Sequence, residues 1–227
     1  GYVRGRYANG TFVSQFDPFA GGPQSKTSHP SWMTEASPAQ YSFVPHAMRD
    51  VVALMGGSAG FIEKMDLLFG GGHYEAGNEP DLHVPYLYGY GGQPWKTQYW
   101  VANLTAEHYS TDENTGIPGN DDAGAMSAWL LFRTVGFYPV CHGSGIYMLG
   151  APAVPALNVT VQGGVFRVSA PAVSQENMYI QAVHWNQEPY HDGFVTHAMV
   201  VGGGLLEFQM GPGSNTAWEL RLPEKKC

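Results

Sequence analysis

The chain has 227 residues, with 11 Lys and Arg against 19 Asp and Glu and a formal charge of −8 with neutral histidines. That acidic balance excludes attraction to a phosphate backbone or an anionic lipid surface as the organising chemistry, so neither nucleic acid nor membrane is an expected partner. Hydrophobic residues make up 44% and charged residues 13%, which excludes charge-driven disorder and leaves a folded, loop-rich, aromatic-rich protein with a sizeable core.

No apolar run approaches the roughly 20 residues of a bilayer span. Cys141 and Cys227 are the only cysteines. Their number speaks against a disulfide framework or a thiolate metal site, and leaves open whether the two pair. Three Asn-x-Thr sequons begin at Asn9, Asn103 and Asn158, and they predict a secreted, extracellular protein. The chain opens at Gly1-Tyr2-Val3 without an initiator Met or an export segment, so the expectation is a processed chain or a piece of a longer one.

Residues 1 to 40 read as loop with a short strand near Thr11 to Phe16. From Tyr41 to Leu54 the apolar positions recur at helical spacing, with Pro45 in the first turn and Gly56-Gly57 as the stop. Ser58 then stands as an N-cap before Phe61, Ile62, Met65, Leu68 and Phe69, and Gly70 to Gly72 close that second helix. Tyr99 to Tyr109 is a third helix and Asp121 to Val135 a stronger fourth, with Gly136 past its end. After Tyr138-Pro139 the texture changes to short strands at Ile146 to Leu149, Leu157 to Val161, Val165 to Ser169, Met178 to Val183 and Leu205 to Met210. The expected fold is α+β, a helical part to about residue 139 and an antiparallel β-rich region over 140–227.

Three segments carry candidate chemistry. Glu35 is a lone carboxylate among Trp32, Met33, Pro38 and Tyr41 just before a helix. Desolvation there would keep a proton on it at neutral pH, or it answers the helix dipole. Gly77-Asn78-Glu79-Pro80-Asp81, preceded by Tyr74-Glu75, offers the hard oxygen ligands that Ca²⁺ accepts, without the spacing of an EF-hand. The alternative is a polar capping turn. Gly119-Asn120-Asp121-Asp122 either caps the fourth helix through its aspartates or holds and deprotonates a water with them. The nine histidines lack the i, i+4 pair of a zinc helix.

Taken in order, these segments resemble the second half of glycoside hydrolase family 92, the calcium-dependent exo-acting α-mannosidases. The matching strings are Thr34-Glu35 and Gln40-Tyr41-Ser42-Phe43-Val44-Pro45-His46, then Gly77-Asn78-Glu79-Pro80 into His83-Val84-Pro85-Tyr86-Leu87-Tyr88. Gly92-Gln93-Pro94-Trp95-Lys96-Thr97-Gln98 follows, and lastly Gly119-Asn120-Asp121-Asp122 with Met126-Ser127-Ala128-Trp129 and Gly136-Phe137-Tyr138-Pro139-Val140. The resemblance implies a partial (α/α)₆ toroid before the strands, with the family's N-terminal β-sandwich and first barrel helices absent from this chain.

It also implies the roles. Glu35 is the general acid, and Asp122, assisted by Asp121 or Asn120, is the base that activates water in an inverting hydrolysis of terminal α-linked mannose. Asn78 and Glu79 are ligands of a Ca²⁺ that binds the sugar, and Gln40 and Glu75 line the sugar site. Where the family often has Gly-Asn-Ala-Trp after the acid, this chain has Ala36-Ser37-Pro38-Ala39, which implies a different pocket wall. The expected partners are mannose-containing glycans and the missing N-terminal half of the parent protein. Little activity is expected of the chain alone. The competing readings are a non-catalytic carbohydrate-binding relative, an inactive truncated product, and a subunit-like piece that completes its barrel with another polypeptide.

Overall fold

The structure is a computed structural model and describes residues 1–20, 36–218 and 220–223. Glu35 and Cys227 therefore lie outside the described residues, and with Glu35 the first of the candidate catalytic groups. Cys141 is disulfide-bonded.

The helical part is more broken than apolar periodicity predicts. In place of one helix from Tyr41, the chain makes a 3₁₀ turn at Gln40–Ser42, a second at Pro45–Ala47, and only then helix α1, Met48–Leu54. Pro45 is the cause. The residue before a proline is pushed out of the helical region, and Val44 is extended at φ −65°, ψ 131°. Helix α2, Gly57–Gly70, begins one residue ahead of the expected cap, because Gly56 takes the left-handed conformation that ends α1 and starts α2. Its buried residues Phe61, Ile62, Met65, Leu68 and Phe69 are those that the spacing gives.

A 3₁₀ segment over Val84–Gly91 follows, with every residue buried except Tyr90. Helix α3 is Pro94–His108, starting five residues before Tyr99 with Pro94 in its first turn. Helix α4 is Ala125–Val135, not Asp121 onward, because Asp121, Ala123 and Gly124 all have positive φ. Gly136 ends it in the left-handed conformation as expected. Residues 11–16 form no strand. Arg6 and Phe12 make an isolated bridge there.

Among the described residues eight strands follow: β1 Phe137–Tyr138, β2 Ile146–Leu149, β3 Ala156–Val161, β4 Gly164–Ser169, β5 Tyr179–Trp185, β6 Glu188–Pro189, β7 Phe194–Thr196 and β8 Gly204–Gly211. A short helix α5, His197–Gly202, sits between the last two, with the Thr196 hydroxyl accepting from Met199 N. One sheet has the order β1-β2-β7 and the other β3-β4-β8-β5-β6. All pairings are antiparallel as expected except β4 with β8, which run parallel with Phe166 opposite Gly204. The chain leaves β4, builds β5 to β7 and α5, and then inserts β8 between β4 and β5, a return that no local pattern announces.

Two apolar cores meet at the small sheet. Tyr138 and Met148 belong to the core under the helices, whereas their chain neighbours Phe137 and Leu149 belong to the core under the large sheet. Alternation along β1 and β2 thus faces the two cores in turn. Phe132 on α4 packs against both. No helix among the described residues is long and apolar enough to cross a membrane.

Candidate active site

The loops of the helical part converge on one place. Gln40, fully buried, makes a two-way bridge to the main chain of Glu75: its Nε2 donates to Glu75 O at 3.0 Å and its Oε1 accepts from Glu75 N at 2.8 Å. This fixes the strand of chain that enters the Asn78 turn. Glu75 Oε1 in turn accepts from Gly77 N at 3.2 Å.

Asn78 and Asp81 are buried together, 1% and 3% exposed. The 3₁₀ turn Glu79–Asp81 folds Asp81 back over Asn78, with Asp81 N donating to Asn78 O at 3.2 Å. Asn78 Nδ2 then donates to Asp81 Oδ2 in a short contact and, at 3.5 Å, to the Tyr41 hydroxyl. Burial lifts the Asp81 carboxyl to about 7 against the opposing hydrogen bonds from Asn78 and Gln40. Asn78 Oδ1 is buried with no hydrogen-bond partner. Below this turn, His83 Nε2 lies 2.6 Å from Phe43 O, and burial lowers the ring to about 4, so it is neutral and donates to the carbonyl.

The aspartate loop is brought to the same turn by backbone. A Cβ on Gly77 would stand 2.8 Å from Gly119 N, and Gly119, at φ +66°, has Gly77 O where its own Cβ would be. Only glycine at both positions permits that approach. Asp122 N donates to Glu79 Oε1 at 3.3 Å. Trp129 on α4, 2% exposed, donates from Nε1 to Leu82 O at 3.0 Å and stacks on Tyr109. Helix α4 and the Glu79–Asp81 turn are thereby held as one block.

The two aspartates do different things. Asp121 Oδ1 accepts from Ser127 N at 2.9 Å and Oδ2 from the Ser127 hydroxyl at 2.7 Å, and these bonds hold its carboxyl below the ordinary carboxylate range. Asp121 is thus a cap in the first turn of α4, from a left-handed backbone at φ 52°. Asp122 is exposed at the loop tip with Asn120. Among the described residues no group of three or more His, Cys, Asp or Glu side chains could hold a metal ion, so a cation here would need amide and main-chain oxygens as well.

The glycosyl hydrolase family 92 catalytic domain matches residues 1–212. The chain belongs to this family. A protein of Arthroderma benhamiae described as an uncharacterized secreted glycosidase is 30% identical over 225 residues, 93% of this chain and 28% of that relative. A family GH92 α-mannosidase from Bacteroides thetaiotaomicron in complex with mannoimidazole is 30% identical with a TM-score of 0.87, over 99% of this chain and 33% of its own. A family GH92 inverting mannosidase from the same bacterium is 28% identical with a TM-score of 0.83, over 96% of this chain and 32% of its own. The chain thus spans about a third of the length of the relatives it matches.

Against that family frame, Gln40, Glu75, Asn78, Glu79, Asp121 and Asp122 are brought together at one block, with Asn120 at its rim. Sequence reasoning named Asp81 only as part of a turn and missed its contact with Asn78. The i, i+3 interval across Glu79-Pro80 was the available signal, since a proline early in a tight turn returns the chain on itself.

Proposed function

We propose that this chain is the later part of a Ca²⁺-dependent exo-α-mannosidase that hydrolyses terminal α-linked mannose with inversion at the anomeric carbon. Three supports converge: the family; two relatives described as mannosidases, one of them as inverting and the other with mannoimidazole bound; and the meeting of the Gln40–Glu75 bridge, the Asn78 turn and the Asp121–Asp122 loop. That meeting carries the reading. Glu35 gives its proton to the glycosidic oxygen, and the chain just after it, Ala36 to Gln40, is buried and leads into the block. Asp122 takes a proton from the attacking water on the opposite face of the sugar, with Asn120 beside it. Asp121 orients the loop and keeps its charge near the base. An inverting pair stands roughly 6.5–9.5 Å apart to admit that water.

The residues present fit a calcium ion. Asn78 Oδ1 is a buried acceptor left without a partner, and the Glu79 carboxylate is beside it in sequence, both hard oxygen donors. When bound, the ion would supply positive charge that grips vicinal sugar hydroxyls and favours an oxocarbenium-like geometry. Gln40 and Glu75 hold the wall of the sugar site.

Helices α1 to α4 belong, on this reading, to an (α/α)₆ barrel whose other helices come from the parts of the family domain that this chain does not span. Leu54 on α1, Leu67 on α2 and Leu131 on α4 are 77%, 49% and 68% exposed, which is apolar surface of the kind that neighbouring helices cover. A secreted location is supported by the Arthroderma relative's description and by the disulfide at Cys141.

The test is made in a longer family 92 protein that contains this chain. Glu35→Gln and Asp122→Asn should each lower kcat on an aryl α-mannoside about 100-fold or more while mannose binding persists, and proton NMR should show β-mannose as the first product. Near-normal rates for either variant, or α-mannose first, would remove the assignment.

A further inference from the structure

We infer that Asp81 is a positioning residue: it sets which way the Asn78 amide faces and thereby presents Asn78 Oδ1 to the cation. This rests on the metal reading above and assigns a role to a residue that neither catalysis nor ligation uses.

Asn78 and Asp81 are both buried, so solvent cannot choose the amide's orientation. The Asp81 oxygen that meets Asn78 Nδ2 acts as an acceptor, because an amide NH₂ only donates, whereas the amide as a whole has one face of each kind. With Asp81 Oδ2 against Asn78 Nδ2, the amide is locked with its NH₂ toward the carboxylate and its oxygen turned away. Turned over, it would set Oδ1 against Oδ2, acceptor against acceptor in a dry place. The Tyr41 hydroxyl, 3.5 Å from the same Nδ2, adds a weaker hold. The outcome of this lock is the unpartnered Oδ1, and buried acceptors go unpaired rarely enough that each calls for a cause.

The Tyr74 hydroxyl donates to Asp81 O at 3.2 Å and steadies it from behind.

The test uses Ca²⁺ titration by calorimetry, checked by Tb³⁺ luminescence, of a longer family 92 protein that contains this chain. Asp81→Asn keeps the shape, but its amide can donate as well as accept, so Asn78 loses its instruction. The expected result is a 10- to 100-fold weaker Ca²⁺ affinity, with circular dichroism in EDTA unchanged. The exchanged pair, Asn78→Asp with Asp81→Asn, has the same net charge and lets the new amide at 81 donate to the new carboxylate at 78. One carboxylate oxygen then faces the cation, and affinity should return to within a few-fold of wild type. Wild type that binds no Ca²⁺ would sink the metal reading itself. Wild type that binds, with Asp81→Asn equally tight or with the exchanged pair still weak, would overturn the positioning role alone.

Discussion

Among the described residues the buried polar and charged side chains are Ser37, Gln40, Ser42, Asn78, Asp81, His83, Thr97, Gln98 and Arg133, all before the first strand, whereas the core of the large sheet, around Phe166, Val168, Ile180, Leu206 and Phe208, is apolar throughout. A polar group taken out of water is tolerated where hydrogen bonds replace the ones it gave up. In the helical half three of those bonds hold loops, Gln40 to Glu75, Asn78 to Asp81 and His83 to Phe43, while Gln98 and Arg133 reach out from helices α3 and α4. The helical half thus carries orientation and the sheet half carries cohesion.

Three measurements would break or sharpen that contrast. The largest effect is expected in the sheet, where Phe166→Ala should cost about 3–5 kcal/mol by cavity formation and shift the denaturant midpoint equally at pH 7 and pH 5. A pH-dependent loss would place a titrating group in that core and blur the division.

A smaller, pH-dependent effect belongs to His83. Its folded value near 4 lies below the ordinary value of 6.5 chiefly through burial. The unfolded chain therefore takes up the proton first. Nothing is lost above about pH 6.5, and stability drains as pH falls from there toward 4, by about 2 kcal/mol at pH 5. Denaturant melts of His83→Gln should lack that portion of the acid sensitivity. An unchanged difference between pH 7 and pH 5 would remove His83 from the account.

The smallest effect is at the seam. Gln98 on α3, 1% exposed, accepts from Ile180 N of β5 through Oε1 at 2.9 Å. Gln98→Leu should cost about 1 kcal/mol and raise the exchange rate of the Ile180 amide while leaving that of β4 unchanged. Equal protection at Ile180 would mean the two halves are tied elsewhere, Arg133 to Val101 and Ala151 being the next candidate.

What could be read in advance follows the range of the interaction. The α2 core positions, the five longer strands and the Gly136 stop come from local periodicity and turn chemistry, and they match the observed elements within two residues. The split of the first helix was in principle legible at Pro45, whose effect on Val44 is local. The Val84–Gly91 segment was not, because Pro85, Gly89 and Gly91 give loop composition to a run that burial holds in 3₁₀ form. Parallel pairing of β4 with β8 joins residues 38 apart at Phe166 and Gly204, beyond any window of pattern. For the site, the Asn78-Glu79 turn and the paired aspartates were visible as residue types. Their different uses were not: only the fold back onto Ser127 shows Asp121 as a cap, and only the Glu79–Asp81 turn shows what Asp81 touches.

The seam between Gly77 and Gly119 is main chain against main chain. Any heritable change that adds a single carbon at either position must pry the two loops apart, so natural drift and laboratory libraries alike are barred from retuning the block there. On the function proposed above, new sugar preferences would be written at the exposed rim around Asn120, while the joint beneath passes unchanged from one specificity to the next.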